Sequence, residues 1–269
     1  MKLVYVISGT DKAPLYLKAL THSIISARGV GIDDIAVVST EPLVVDGVEC
    51  IHYPSQIYSQ LNAEFDFSSI IDFILNKSVE NKYVAYFLKI PSIYLKMELH
   101  NIFPNQEILL CDVDTIFTPK FQWRDLRNLS PFGASLTGQF GTKDRTINAG
   151  VFVLDTCLMY KKRFALIDYL RTEFQYVTNV MNHRDWFNDS RLLGLLEEAT
   201  LTDIFNNDLA TLPDSYNWRP AQGYNDEAAI IHYQSVLATW QNCRHVLITN
   251  WGQETFDQYK PMLEYILGE

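Results

Sequence analysis

Two carboxylates one residue apart, Asp112 and Asp114, follow an unbroken apolar run in Ile108-Leu109-Leu110-Cys111-Asp112-Val113-Asp114-Thr115-Ile116-Phe117. The run reads as a strand buried on both faces. An unpaired carboxylate is costly to bury, so a strand that stops at Asp-x-Asp most simply delivers both groups to a cleft at its carboxyl end. Two hard oxygen donors there suit a divalent cation such as Mg²⁺ or Mn²⁺, and that ion can in turn hold a diphosphate. The ordinary alternative is a solvated turn after a strand, where Asp is common.

Other residues offer chemistry nearby in the order of the chain. Ala228-Ala229-Ile230-Ile231-His232-Tyr233 is a second apolar strand that ends on a ligand type, although a lone His at a strand end is more often a satisfied core residue. Asn148 and Gly150 interrupt the apolar strand Ile147–Leu154 at one end, which suggests a bulge or a ligand pressed against the chain; a plain loop-to-strand junction is the alternative. Lys89 and Lys96 precede the central strand. A lysine's usual fate is a solvated helix face, while its functional use here is a point charge on a diphosphate. Tyr216, Trp218 and Tyr233 have rings suited to stacking on a base or sugar, but such residues near strand ends more often pack.

The elements that would position these groups alternate between strand and helix. Leu3–Ile7 reads as a first parallel strand, Pro14–Arg28 as a helix with Leu17, Leu20, Ile24 and Ile25 on one face, and Ile35–Ser39 as a second strand. A right-handed crossover leaves the Ser8-Gly9-Thr10 loop at the carboxyl edge of the sheet. Neither a Gly-x-Gly-x-x-Gly fingerprint nor a Walker loop follows that first strand. Further on, Cys50–Pro54 reads as a strand, Ser68–Leu75 as a helix capped by Ser68, and Lys82–Phe103 as helical with a break at Pro91. Phe132–Gly138 holds small residues that permit close backbone approach. A long amphipathic helix is expected from about Tyr160 to Met181, burying Phe164, Ile167, Leu170, Phe174, Val177 and Met181. A shorter helix over Asp189–Glu198, a strand over Leu209–Pro213 and a closing helix over Thr255–Leu267 complete the pattern.

With 269 residues, 48% hydrophobic and 20% charged, the composition is that of an ordered globular protein, and no repeat or linker divides it. One domain spanning 1–269 is expected. Lys plus Arg number 22 against 32 Asp plus Glu, a net charge of -10, which argues against broad attraction to nucleic acid or anionic membrane. Cys50, Cys111, Cys157 and Cys243 lack zinc-like spacing, and Cys111 and Cys157 read as ordinary buried thiols. No stretch approaches a membrane span and the start is too short for a signal peptide, so a cytoplasmic location is expected.

Taken in order, these pieces resemble a metal-dependent GT-A fold glycosyltransferase, most like the retaining enzymes of glycosyltransferase family 8. The carrying residues are Asp112-Val113-Asp114 on its strand, Asn148-Ala149-Gly150, the Tyr216-Asn217-Trp218 triplet and His232. The resemblance implies a three-layer α/β fold around a central mixed, mainly parallel sheet. It implies that Asp112, Asp114 and His232 bind Mn²⁺ or Mg²⁺, which bridges the diphosphate of a nucleotide-sugar donor, a UDP-sugar above all. Ser8, Gly9 and Thr10 would meet the nucleoside, and Asn148, Ala149 and Gly150 the donor sugar. Glu197-Glu198 fall where the family has Asp-Gln-Asp, near donor and acceptor. The family's lysine after His232 is absent, since Gln234 and Ser235 follow, so Lys89, Lys96 or the metal alone would compensate. His22, His52, His100, His183 and His245 have no such support. Two rivals stand: a haloacid-dehalogenase-type phosphatase, whose nucleophile motif Asp112-Val113-Asp114-Thr115 also resembles, and a non-catalytic sugar-nucleotide-binding module.

Overall fold

The computed structural model describes residues 1–8, 14–69, 90–137, 146–180, 197–233 and 252–267. Its strands are β1 (Lys2–Ile7), β2 (Ile35–Ser39), β3 (Glu49–His52), β4 (Glu107–Cys111), β5 (Thr115–Phe117), β6 (Phe132–Thr137), β7 (Thr146–Asp155), β8 (Leu209–Thr211) and β9 (Ile230–His232). Seven of them form one sheet in the order β3-β2-β1-β4-β7-β6-β8, and β5 pairs with β9 apart from it. Strands β3, β2, β1 and β4 run parallel, β7 is antiparallel to both its neighbours, and β6 runs parallel to β8. This is the mixed, mainly parallel sheet that the resemblance implies.

The helices are α1 (Pro14–Gly29), α2 (Gln56–Phe65), α3 (Leu99–Ile102), α4 (Thr156–Val180), α5 (Glu197–Phe205) and α6 (Gln253–Leu267), and residues 90–96 are also helical. Side chains alternate across the sheet, which divides the core in two. Val4, Ile108, Leu110, Phe152 and Leu154 pack toward Leu61 of α2, Tyr94, Leu170 and Phe174 of α4, and Leu201 of α5. On the other face Leu3, Tyr5, Leu109, Cys111 and Val153 pack toward Leu20, Ile24 and Ala27 of α1, and toward Phe117 and Ile230 of the β5–β9 pair. Full burial of each large side chain contributes roughly 1.5–3 kcal/mol, so these faces rather than helix propensity hold the layers together. No helix among the described residues is long and apolar enough to cross a membrane.

Several sequence expectations need correction. Helix α2 was not anticipated; Ser55 caps it by accepting from the Tyr58 N–H at 3.0 Å, and the buried Glu98 carboxylate accepts from the Gln56 and Ile57 N–H groups. Ser68 is not a cap, because residues 67–69 are already helical and the Asp66 carboxylate accepts from the Ser69 N–H. Residues 90–96 are helical and the helix breaks at residues 97–98, which the sequence did not suggest, while the stretch 82–89 leading into Pro91 lies outside the described residues. Phe132–Thr137 is a full strand. Ile25 and Phe164 are solvent-facing, 50% and 63% exposed, because the buried stripes of their helices run through Ala27 and Leu166 instead. Cys111 is buried as expected, but Cys157 is only half-buried. The stretch 189–196, and residues Lys89, Gly138, Met181, His183, Cys243 and His245, lie outside the described residues.

Candidate active site

Strand β4 ends at Cys111, and the chain turns over 112–114 before β5 begins. The backbone of that turn is held on three sides. The Asp112 N–H donates to the Gly150 carbonyl at 2.7 Å, the Tyr233 N–H donates to the Asp114 carbonyl at 2.9 Å, and the Thr115 hydroxyl donates to the Asp112 carbonyl at 2.8 Å. A carbonyl can only accept, so the remaining directions follow. Thr115 accepts from Ser23 at 3.1 Å, and Ser23 accepts from the Tyr5 hydroxyl at 2.7 Å. Burial holds the Tyr5 phenol well above its ordinary pKa, so it stays a donor. A chain of hydroxyls thus runs from the middle of the sheet through α1 to the Asp-x-Asp turn.

Strand β9 places His232 opposite Thr115. Its Nε2 lies 3.5 Å from Asp112 Oδ2 and 3.4 Å from Asp114 Oδ1. The other ring nitrogen is fixed by a second network. Gly150 N–H donates to Asn148 Oδ1 at 3.1 Å, which settles that amide's orientation, and Asn217 Nδ2 donates to the same oxygen at 2.7 Å. Asn217 Oδ1 therefore faces His232 Nδ1 at 3.0 Å and accepts its proton. With Nδ1 so held, Nε2 is the nitrogen aimed at the two aspartates, and it offers a lone pair once its proton is displaced.

Gly150 is needed for the ring itself. A Cβ there would lie 2.0 Å from His232 Cε1, closer than any side chain tolerates. The β6–β7 register jumps at this point from Ala134↔Phe152 to Ser135↔Asn148, so residues 149–151 form the bulge that the interrupted apolar run suggested. What presses against the glycine is the histidine.

On the other side of Asp112 stands Lys96, the last residue of the helical segment 90–96. Its ammonium is 2.6 Å from Asp112 Oδ1 and 2.8 Å from Glu197 Oε1, and its side chain is 7% exposed. The solvated face expected of a lysine is overturned. Burial alone would lower the Lys96 pKa, but the two carboxylates reverse this and hold it above its ordinary value. Burial pushes Glu197 up to about 7 against the pull of Lys96, and it raises Glu198 as well. Asp112 goes the other way: burial opposes its charge, yet Lys96 and His232 hold its carboxyl well below the usual carboxylate range. Glu198 Oε1 accepts from Asn148 Nδ2 at 3.1 Å, which joins the acidic pair to the amide network.

Asp112, Asp114 and His232 each offer one ligand atom, and these atoms all lie within 4.8 Å of one another. An ion bound at ~2.1 Å would set neighbouring donors about 3 Å apart, so the 3.4–3.5 Å separations need only a small contraction. Two carboxylate oxygens and an imidazole suit Mn²⁺ or Mg²⁺, and Asp112 can give Oδ2 while Lys96 keeps Oδ1.

The structure thus brings together Asp112, Asp114, His232, Asn148, Gly150, Glu197, Glu198 and Lys96. Ala149 is buried beside them, its carbonyl 3.5 Å from the Lys96 ammonium. Ser8 sits half-exposed after β1, while Gly9 and Thr10 lie outside the described residues. Tyr216 and Tyr233 are buried packing residues and do not offer stacking faces. Sequence reasoning missed the role of Asn217, though it sits in the Tyr216-Asn217-Trp218 triplet, and missed that Lys96 pairs with Glu197.

No protein-family model matches the chain, and no curated protein matches it by sequence. Solved structures do resemble it. Galactosyltransferase LgtC, in complex with donor and acceptor sugar analogs, superposes with a TM-score of 0.53 and 15% identity over 96% of this chain and 94% of that one. Mouse xyloside xylosyltransferase 1 gives 0.50 and 12% over 90% and 98%. Glycosyltransferase GlyE of Streptococcus pneumoniae TIGR4 gives 0.50 and 15% over 87% of this chain, which spans 55% of that chain's length. With its seven-stranded mixed sheet between two helical layers, the chain has the GT-A glycosyltransferase fold.

Proposed function

We propose that the protein is a metal-dependent glycosyltransferase of the family 8 kind, moving a sugar from a UDP-sugar to an acceptor with retention of configuration. The observation that carries the reading is the Asp112–Asp114–His232 cluster at the carboxyl end of β4 within a GT-A fold. Mn²⁺ or Mg²⁺, when bound, supplies electrostatic stabilisation for the charge developing on the departing diphosphate. Asp112, Asp114 and His232 would hold it. Asn217 and Gly150 keep the imidazole aimed, and Lys96 offsets the charge of Asp112 and Glu197.

The Ser8-Gly9-Thr10 loop meets the nucleoside, and Asn148-Ala149-Gly150 borders the sugar. Retention requires no protein base, because the leaving phosphate can take the acceptor's proton. Glu198, linked to Asn148, then serves to position the sugar or to favour an oxocarbenium-like state, with Glu197 behind it. The phosphatase reading loses ground, since Asp112 follows the fourth strand and not the first, where that fold carries its nucleophile. One sequence feature favours a non-catalytic sugar-nucleotide module: Gln234 and Ser235 stand where the diphosphate lysine would be.

Thermal shift against a panel of nucleotide sugars, with and without Mn²⁺, should raise the melting temperature for UDP-sugars only when the metal is present. Donor turnover should vanish in Asp114→Ala while the fold persists. Unchanged turnover in that variant overturns the assignment, and tight binding without turnover under any metal selects the binding module.

A further inference from the structure

Arg219 belongs to no interaction described so far. Trp218 and Arg219 are both extended, with φ/ψ of −74°/129° and −108°/131°. The chain there runs parallel to β9: the Trp218 N–H donates to the Ile230 carbonyl at 3.0 Å, the His232 N–H donates to the Trp218 carbonyl at 2.8 Å, and Trp218 pairs with Ile231. The bridge is confined to Trp218 and Ile231, and extending its register by one residue sets Arg219 beside His232. Asn217, across the extended Trp218, reaches the His232 ring, and Glu198 of the same site acts on the Arg219 charge, which puts the guanidinium on the side of the acidic cluster.

The guanidinium is half-buried, and its Nε is buried without a hydrogen-bond partner. An orphaned buried donor costs free energy that a ligand oxygen would recover. Burial disfavours its charge while Glu198 and Asp214 favour it, yet neither carboxylate comes within ion-pairing distance of 4.0 Å among the described residues. Lys96 is already shared between Asp112 and Glu197. At a site this acidic, Arg219 is, among the described residues, a cation with hydrogens still to give, and its planar fork matches a phosphate or carboxylate.

We propose that Arg219 binds an anionic oxygen of a substrate, supplied either by the donor's diphosphate or by an acidic group on the acceptor. The inference rests on the function proposed above, and it names a residue that the Asp-x-Asp and histidine motifs do not.

Calorimetry with UDP and Mn²⁺, with GDP and ADP in parallel, followed by inorganic phosphate added to the nucleotide-loaded protein, separates the sources. If the diphosphate is the ligand, Arg219→Gln weakens UDP by about tenfold or more. If the acceptor supplies the anion, UDP binding stays within about twofold, and phosphate binds the loaded wild type but not the variant. Unchanged binding of both overturns the proposal. Should the glutamine variant fail to fold, Arg219→Lys decides the same way, since it keeps the charge but loses the fork: weakened binding supports the site, unchanged binding overturns it. A wild type that binds none of the nucleotides overturns the transferase reading; phosphate binding that disappears in Arg219→Gln would still support Arg219, and its absence or persistence would overturn it.

Discussion

The two oxygens of Asp112 face different surroundings. On the Oδ1 side one buried ammonium is shared by two acidic groups at 2.6 and 2.8 Å, a closed arrangement in which a single permanent cation faces both Asp112 and Glu197. On the Oδ2 side His232 Nε2 stands 3.5 Å from Asp112 and 3.4 Å from Asp114, and among the described residues the positive charge at those contacts is the imidazole's own. A lysine cannot be exchanged for an ion, whereas a proton on an imidazole can. The fold therefore spends a permanent cation to keep the acidic pair in place and leaves a replaceable one where a metal would sit.

The largest effect should come from the closed side. Lys96→Met leaves Asp112 and Glu197 as neighbouring carboxylates without their shared partner, at a cost of about 3–5 kcal/mol in denaturant unfolding. His232→Gln breaks only the longer contacts and should cost less in the metal-free protein. A smaller loss for Lys96→Met than for His232→Gln would invert the comparison.

The open side should answer to pH. Burial lowers the His232 pKa from 6.5, but the hydrogen bonds and charges of Asp112 and Asp114 more than offset it and bring it to about 9. A pKa raised on folding gives stability that is full below about 6.5 and is lost as pH rises through about 9. Metal binding runs the opposite way, because the ion must displace that proton. Between those limits the affinity for Mn²⁺ should climb by up to roughly tenfold per pH unit, with proton release visible when titrations are repeated in buffers of different ionisation enthalpy. An affinity flat across this range would mean the imidazole is not a ligand.

The open side was legible in the sequence as a cluster, whereas on the closed side Lys96 and Glu197 were candidates whose pairing was not legible. Asp112, Asp114 and His232 each end an apolar strand, and a strand's length and direction are written in its own residues. Even Gly150 announced itself by breaking the run Ile147–Leu154. Lys96 gave no such signal, for it lies in a helical segment, and its partner Glu197 is about a hundred residues away; only the packing of that segment against β4 and α5 joins them. Helix α2 was missed for a related reason. Its buried face is narrow, Ile57 and Leu61 alone, and half of its cap comes from the distant Glu98.

Two substitutions sharpen the comparison by disturbing the open side without touching a charge. Gly150→Ala drives a methyl into the His232 ring, and overpacking of that kind costs about 1–3 kcal/mol. Because the ring must move, weaker Mn²⁺ binding should accompany the loss of stability. Ser23→Ala is gentler. It interrupts the hydroxyl chain between Tyr5 and Thr115, and Thr115 loses the donor that orients its own hydrogen toward the Asp112 carbonyl. The Tyr5 hydroxyl also feels Thr115 directly and can turn to it, so the cost should stay near 1 kcal/mol, about that of a single hydrogen bond. If the chain positions the turn rather than merely filling the core, Mn²⁺ affinity should fall with stability in Ser23→Ala. Stability lost with the affinity intact would mean that the main-chain bonds to Gly150 and Tyr233 hold the aspartates unaided.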